Sequence, residues 1–229
     1  PEATVYQMPV VYSTDVMRGI SQLANLGVSV INYSGGSGNT LDYASYDQEI
    51  DNILKSSGVS FVVSAGNNGN NDPEDDPENP QYPCITSPGK AYNAITVGNL
   101  RTKSGAYTSL SPIYSMSSSS SYDELSHIAN KPDISAPGSS IAYVSSGTTI
   151  TSMSGTSCAA PLITGIVAQL HQARVLTKTN PTRTKATLLL GASNADISTT
   201  NNTVQGNYWF RDRSGAGLAN APKTIDAAL

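Results

Sequence analysis

The residues best suited to chemistry lie in the run Met153-Ser154-Gly155-Thr156-Ser157-Cys158-Ala159-Ala160-Pro161. A serine that opens a helix, with Gly behind it and small residues ahead, carries its hydroxyl at the helix N-terminus. Backbone N–H groups and the helix dipole favour a developing anion there. Ser157 is therefore a candidate nucleophile, although an isolated Gly-Thr-Ser also serves simply as a helix cap. A second group, Ser64-Ala65-Gly66-Asn67-Asn68-Gly69, leaves the apolar run Val59 to Val63 at its carboxyl end. Open parallel sheets place their sites at such ends, and the Asn67 amide can donate to an oxyanion. Taken alone, these residues also read as a turn, since Asn and Gly tolerate left-handed backbone. A third group, Ser34-Gly35-Gly36, follows Val30-Ile31-Asn32-Tyr33 and lets another backbone approach closely, or makes a plain glycine turn.

The elements that must hold these groups follow from apolar spacing. Thr4 to Tyr12 is β-branched and aromatic and predicts a strand disturbed at Pro9. Val16, Met17, Ile20, Leu23 and Ala24 predict a helix capped by Ser13, Thr14 or Asp15 and stopped at Gly27. Val28 to Asn32, Val59 to Ala65 and Ala94 to Val97 predict strands, and Tyr43 to Ser57 predicts a helix with Tyr46, Ile50, Ile53 and Leu54 on one face. A long helix follows from Thr156 to about Val175, a second from Asn180-Pro181-Thr182 to Leu190, and a short one near Ile225. Apolar strands alternating with amphipathic helices need crossover connections, so the class is α/β with a mostly parallel sheet flanked by helices. The serine tract Ser117 to Ser121 reads as a flexible connector.

Composition narrows the partners. Thirteen Lys plus Arg against 17 Asp plus Glu give a net charge of −4 with no basic run, so no nucleic acid is expected. No apolar run reaches the ~18 residues of a membrane span. No Cys/His cluster has zinc spacing and no Gly-rich loop opens a helix with Lys-Ser/Thr, so no metal or nucleotide site is expected from motifs. The two Cys, Cys84 and Cys158, allow at most one disulfide, and Cys158 reads as packing rather than as a nucleophile. An α/β-hydrolase needs Gly-x-Ser-x-Gly, whereas Ala159 stands where the second Gly belongs.

Taken together, these segments resemble the subtilisin-like serine proteases. Gly155-Thr156-Ser157 through Ala160-Pro161 matches the family's nucleophile signature, and Ala65-Gly66-Asn67 matches its oxyanion motif. The resemblance implies that Ser157 is acylated by the substrate and that Asn67 and the Ser157 N–H receive the oxyanion. It implies that Ser34, Gly35 and Gly36 pair with an extended peptide or protein substrate, and that Ser64, Ala65 and Gly66 line the pocket for the side chain before the cut. Ser87-Pro88-Gly89-Lys90 resembles the pocket-floor segment, which adds Pro88 and Gly89 to the substrate-binding residues and implies a cis Ser87–Pro88 bond. Lys131 to Gly138 resembles the structural turn ahead of the nucleophile, and Gly215 to Ala221 the closing segment. A secreted or cell-surface location is implied in the same way.

The family's Asp and His-Gly-Thr motifs are missing, so the chain is expected to be the C-terminal portion of one peptidase domain, without the N-terminal strands. A Ser hydroxyl without an adjacent base is a weak nucleophile. His171 lies on the same predicted helix as Ser157, fourteen residues on and about 21 Å away, and His127 reads as a surface residue. The isolated chain is thus expected to be inactive. Lost strands would make the sheet close up, or make two chains pair, unless the missing N-terminal segment is present. The acidic loop Asp72 to Glu78 suggests a preference for Lys or Arg before the cut, a solvated loop, or a Ca²⁺ site. No other cofactor is expected.

Overall fold

Apolar periodicity accounts for the layers. The computed structural model describes residues 3–38, 42–70, 84–102, 113–122, 131–198 and 213–228. Helix α1 (Ser13–Asn25) opens with Asp15 accepting the Tyr12 N–H at 2.9 Å, and it buries Val16, Ile20 and Leu23. Strand β1 (Val30–Tyr33), helix α2 (Ser45–Ser57) and strand β2 (Ser60–Ser64) follow. Next come β3 (Ile95–Thr102), β4 (Tyr114–Met116), β5 (Ile134–Pro137) and a hairpin of β6 (Ile141–Ser146) and β7 (Thr149–Met153). Helices α3 (Thr156–Ala173), α4 (Val175–Lys178), α5 (Pro181–Leu190) and α6 (Ala221–Asp226) complete the order.

Strands β1, β2, β3 and β5 pair in parallel in that spatial order, and β4 runs antiparallel to the end of β3. Both faces are covered, and β2 is accordingly buried throughout, with Phe61, Val62 and Val63 at its centre. Phe61 and Val63 pack with Val16, Ile20, Ile50 and Leu54 of α1 and α2. Their neighbour Val62 packs on the other face with Ile163 and Val167 of α3. Each such fully buried side chain contributes about 1.5–3 kcal/mol over its exposed state. None of the helices among the described residues is long and apolar enough to cross a membrane.

A buried charge network ties α5 to the sheet. Asp133 accepts Lys131 Nζ and Lys185 Nζ, each at 2.7 Å, and the Thr96 N–H at 2.8 Å. Lys131 Nζ also donates to Ala94 O and Thr96 Oγ1 at 2.9 Å, and Lys185 Nζ to Tyr92 O and Ala94 O at 2.9 Å. Each ammonium therefore has three acceptors, which offsets its desolvation. Burial pulls Lys131 down to about 8 despite Asp133. Burial would raise Asp133, but the two lysines overrule it and hold the carboxyl below its ordinary value.

Three expectations need correction. Thr4 to Tyr12 forms no strand, because β-propensity yields a strand only where a ladder partner exists and none pairs with it among the described residues. The sheet has not closed up either: β1 is its edge, and a cavity of about 490 Å³ lies between β1, α1 and residues 3–10, lined by apolar groups such as Met8, Ile20, Val30 and Phe61. The serine tract is no loose connector, since Ser120 and Ser121 are 0% exposed. The β6–β7 hairpin, whose residues are almost all exposed, was not foreseen. The bond before Pro88 is cis as expected, and so is the bond before Pro132.

Candidate active site

Ser157 stands in the first turn of α3, and its surroundings follow from the residues beside it. Pro161 lacks an N–H, so the Ser157 carbonyl loses the helical donor it would otherwise have. Ser34 fills that vacancy by donating its hydroxyl to Ser157 O at 2.9 Å, and Ser157 Oγ donates in return to Ser34 O at 3.3 Å. Asn32 Nδ2 donates to Ser34 Oγ at 3.0 Å, while its Oδ1 accepts Thr164 Oγ1 at 3.1 Å. The segment that leaves β1 is thereby fastened to the nucleophile segment.

Asn67 meets the same turn from β2. Its Oδ1 accepts the Thr156 N–H at 3.0 Å, and Thr156 Oγ1 lies 3.2 Å away. A backbone N–H can only donate, so this bond fixes which amide atom is oxygen, and Nδ2 has no acceptor among the described residues. Gly155, at φ +149°, caps α3 and makes room for the amide: a Cβ there would stand 3.3 Å from both Asn67 Oδ1 and Nδ2. The Ser157 N–H finds no acceptor among the described residues. A carboxamide and a helix N-terminal N–H thus meet in the turn that carries Ser157, and donors of these two types are what a tetrahedral oxyanion requires.

The serine tract sets the height of this loop, a role that composition concealed. Ser121 Oγ accepts the Asn68 N–H at 2.9 Å, and the Ser121 N–H donates to Gly66 O at 3.0 Å. The Gly69 N–H reaches Ser119 O at 3.0 Å, and the Asn99 N–H reaches Ser120 Oγ at 3.0 Å. Asn67 is held on both sides by these bonds. Arg213 steadies the tract in turn, with Nη2 on Ser118 O at 3.0 Å and its guanidinium 4.1 Å above the Tyr122 ring.

The predicted substrate residues come together, with one change. Ser34 and Gly36 are exposed and Gly35 half-buried beside Ser157, while Ser64, Ala65 and Gly66 form a buried wall opposite. Ser64 Oγ donates to Gly35 O at 3.4 Å. Pro88 and Gly89 are buried, and a Cβ on Gly89 would meet Ile85, Thr86 O and Thr96 rather than either wall. The side chain that reaches both walls is that of Thr86, which sequence reasoning missed because it precedes the recognisable Ser87-Pro88-Gly89.

The described residues hold no general base for Ser157. His171, at the far end of α3, is 5% exposed, with Nε2 3.1 Å from Thr184 Oγ1, and burial, with Lys178 adding to it, pushes it down to about 4. It is a neutral core residue. His127 and the loop Asp72 to Glu78 lie outside the described residues. Cys158 is 8% exposed, and burial raises its thiol. Among the described residues no cluster of three His, Cys, Asp or Glu could hold a metal ion.

Known proteins resemble this chain in sequence and in fold. The sequence profile of the Subtilase family, peptidase family S8, matches residues 1–211. The chain is 38% identical over 122 residues to the PII-type proteinase of Lacticaseibacillus paracasei, covering 49% of this chain and 6% of that protein. It is 33% identical over 137 residues to the alkaline proteinase of Hapsidospora chrysogena, covering 59% and 27%. The fold superposes on the prenylagaramide maturation protease PagA with a TM-score of 0.69 at 20% identity, covering 99% of this chain and 71% of that one. Fervidolysin from Fervidobacterium pennivorans, a keratinolytic enzyme, gives a TM-score of 0.63 at 24% identity, covering 93% and 29%. The chain therefore spans only a small part of the curated relatives it matches.

Proposed function

Since the chain belongs to the Subtilase family of serine peptidases, we propose that it supplies the acyl-accepting part of a serine endopeptidase site. The Ser157 oxygen attacks the carbonyl carbon of a peptide bond, and the carbonyl oxygen takes up negative charge between Asn67 Nδ2 and the Ser157 N–H. The C–N bond then breaks with the proton from Ser157 delivered to the leaving amine, and water hydrolyses the ester. The observation that carries this reading is the Asn67–Thr156 bond at 3.0 Å, which holds the amide beside the nucleophile with Nδ2 unspent. Ser34 to Gly36 present backbone to an extended substrate.

The proton must go to a base, and Ser157 Oγ now points its hydrogen at a carbonyl. We assign base and orienting carboxylate to a separate N-terminal segment bearing the family's Asp and His-Gly-Thr motifs. The same segment gives the unpaired edge of β1 and the adjoining apolar cavity an occupant, a strand that completes the ladder. Without it the purified chain is expected to self-associate through that edge. A location outside the cell, on its surface or secreted, accords with this reading.

The test compares the purified chain with the chain fused behind a segment bearing the family's Asp and His-Gly-Thr motifs. The first is expected to leave peptides uncut. The second is expected to hydrolyse them and lose that activity in Ser157→Ala. Hydrolysis by the unfused chain, abolished by Ser157→Ala, would overturn its predicted inactivity. A fused protein that binds peptide but never cuts it would favour the other reading, a noncatalytic peptide-binding module.

A further inference from the structure

The C-terminal ends of α2 and α3 and the start of α5 meet around α4, a single turn pinned by Thr177. That residue is 1% exposed, its hydroxyl donates to Arg174 O at 2.6 Å, and its carbonyl accepts Thr184 Oγ1 at 2.8 Å. At about 3.6 residues per turn, the side facing away from Thr177 belongs to Val175, with Leu176 and Lys178 beside it. Val175 and Leu176 are accordingly 73% and 71% exposed. Gly58, which ends α2, abuts the segment after α4, since a Cβ added there would stand 3.5 Å from Thr179 O. This contact brings Lys55, in the last turn of α2, to the same end as Lys178. Arg174 immediately precedes α4, and Arg183 lies in the first turn of α5, its N–H held by Asn180 Oδ1 at 2.9 Å.

Charge at this end has one sign. The chain as a whole carries −4, yet residues 52–59 and 172–195 contain no Asp or Glu. Lys55, Arg174, Lys178 and Arg183 form no ion pair among the described residues. Arg183 even stands where the macrodipole of α5 favours an acid, so helix stability does not account for it. An exposed Val-Leu pair among unpaired cations suits a lipid interface: the apolar side chains enter the acyl boundary while ammonium and guanidinium groups meet lipid phosphates. We propose that this end of the chain docks on an anionic lipid bilayer, lying on it rather than spanning it. A soluble polyanion would engage the cations and leave Val175 and Leu176 in water. A second copy meeting this end face to face would oppose like charges. Along α3 the distance from Ser157 to Arg174 is about 25 Å, so the docked chain keeps its serine at the far end of that helix, away from the bilayer.

Co-sedimentation of the full chain with vesicles tests it, using phosphatidylcholine alone or equal parts phosphatidylcholine and phosphatidylglycerol. Anionic vesicles are expected to bind the chain at least about tenfold more tightly than neutral ones, with most of that binding lost between about 0.1 and 1 M salt. Lys178→Gln and Arg183→Gln are each expected to weaken it roughly fivefold, the effect of one cation near such a surface. Val175→Ser combined with Leu176→Ser is expected to weaken it at least about tenfold. If that double variant does not fold, Leu176→Ser alone stands in, with a loss of at least about threefold. Arg18→Gln, which removes an exposed cation of α1, should leave binding unchanged. No binding to anionic vesicles, equal binding to both kinds, or a loss in Arg18→Gln as large as in Lys178→Gln overturns the proposal. Binding indifferent to Val175 and Leu176 assigns this end to a soluble polyanion, and a dimer in gel filtration broken by their serine variants assigns it to a second copy. Either result overturns the proposal as well.

Discussion

Substituting Asp133→Asn isolates the charge in the buried network while keeping the volume and one acceptor oxygen. In the native arrangement the carboxylate faces two ammonium groups at 2.7 Å, with the Lys131 and Lys185 side chains 2% and 19% exposed. Lys185 can swing toward water, whereas Lys131 has nowhere to go. Two routes give the magnitude. Breaking a buried pair by removing one partner costs about 3–5 kcal/mol. Alternatively Lys131 sheds its proton, and taking an amine of ordinary value 10.5 to neutral at pH 7 costs about 5 kcal/mol, which caps the penalty. We therefore expect a loss of about 3–5 kcal/mol in urea unfolding followed by far-UV circular dichroism, with an unchanged m-value. Adding Lys131→Met to Asp133→Asn should restore part of it, because the uncompensated charge is gone. A loss below about 1 kcal/mol, or a double variant less stable than the single one, would refute the reasoning.

Other outcomes follow from the same contacts. His171 is held neutral down to about 4 against an ordinary 6.5, so the unfolded chain binds more protons between those values. Stability conferred by this residue is complete above pH 6.5 and is lost as pH falls toward 4, by up to about 3 kcal/mol, and melting temperatures of the chain and of His171→Gln should converge in acid. Ser121→Ala removes the acceptor of the Asn68 N–H and should cost about 1 kcal/mol, with faster amide exchange at Asn68 and Gly69 than elsewhere. Gly66→Ala forces a side chain into φ +106° and against Thr86 and should cost about 1–3 kcal/mol or more by denaturant melt; a neutral effect contradicts the packing.

Legibility in the sequence followed contact range. The places of Ser157 at a helix start and of Asn67 just past a strand end could be read because each sits in a short contiguous run whose local geometry is set by its neighbours. Helices α1, α2, α3 and α5 were legible for the same reason, through apolar spacing within one element. Ser121 could not be read, because its value lies in a bond to Asn68, 53 residues away. The Asp133 network joins β3, the segment that leads into β5, and α5, and Thr86 matters only where two distant glycines converge on it. Residues 3–12 show the converse, strand propensity without a partner.

The most direct test of the account is a crystal structure of the chain with a product-type peptide bound. One carboxylate oxygen is expected within hydrogen-bond reach of both Asn67 Nδ2 and the Ser157 N–H, with Ser157 Oγ beside the carbon. A carboxylate seated elsewhere, or an Asn67 amide turned so that its oxygen faces the ligand, would contradict it.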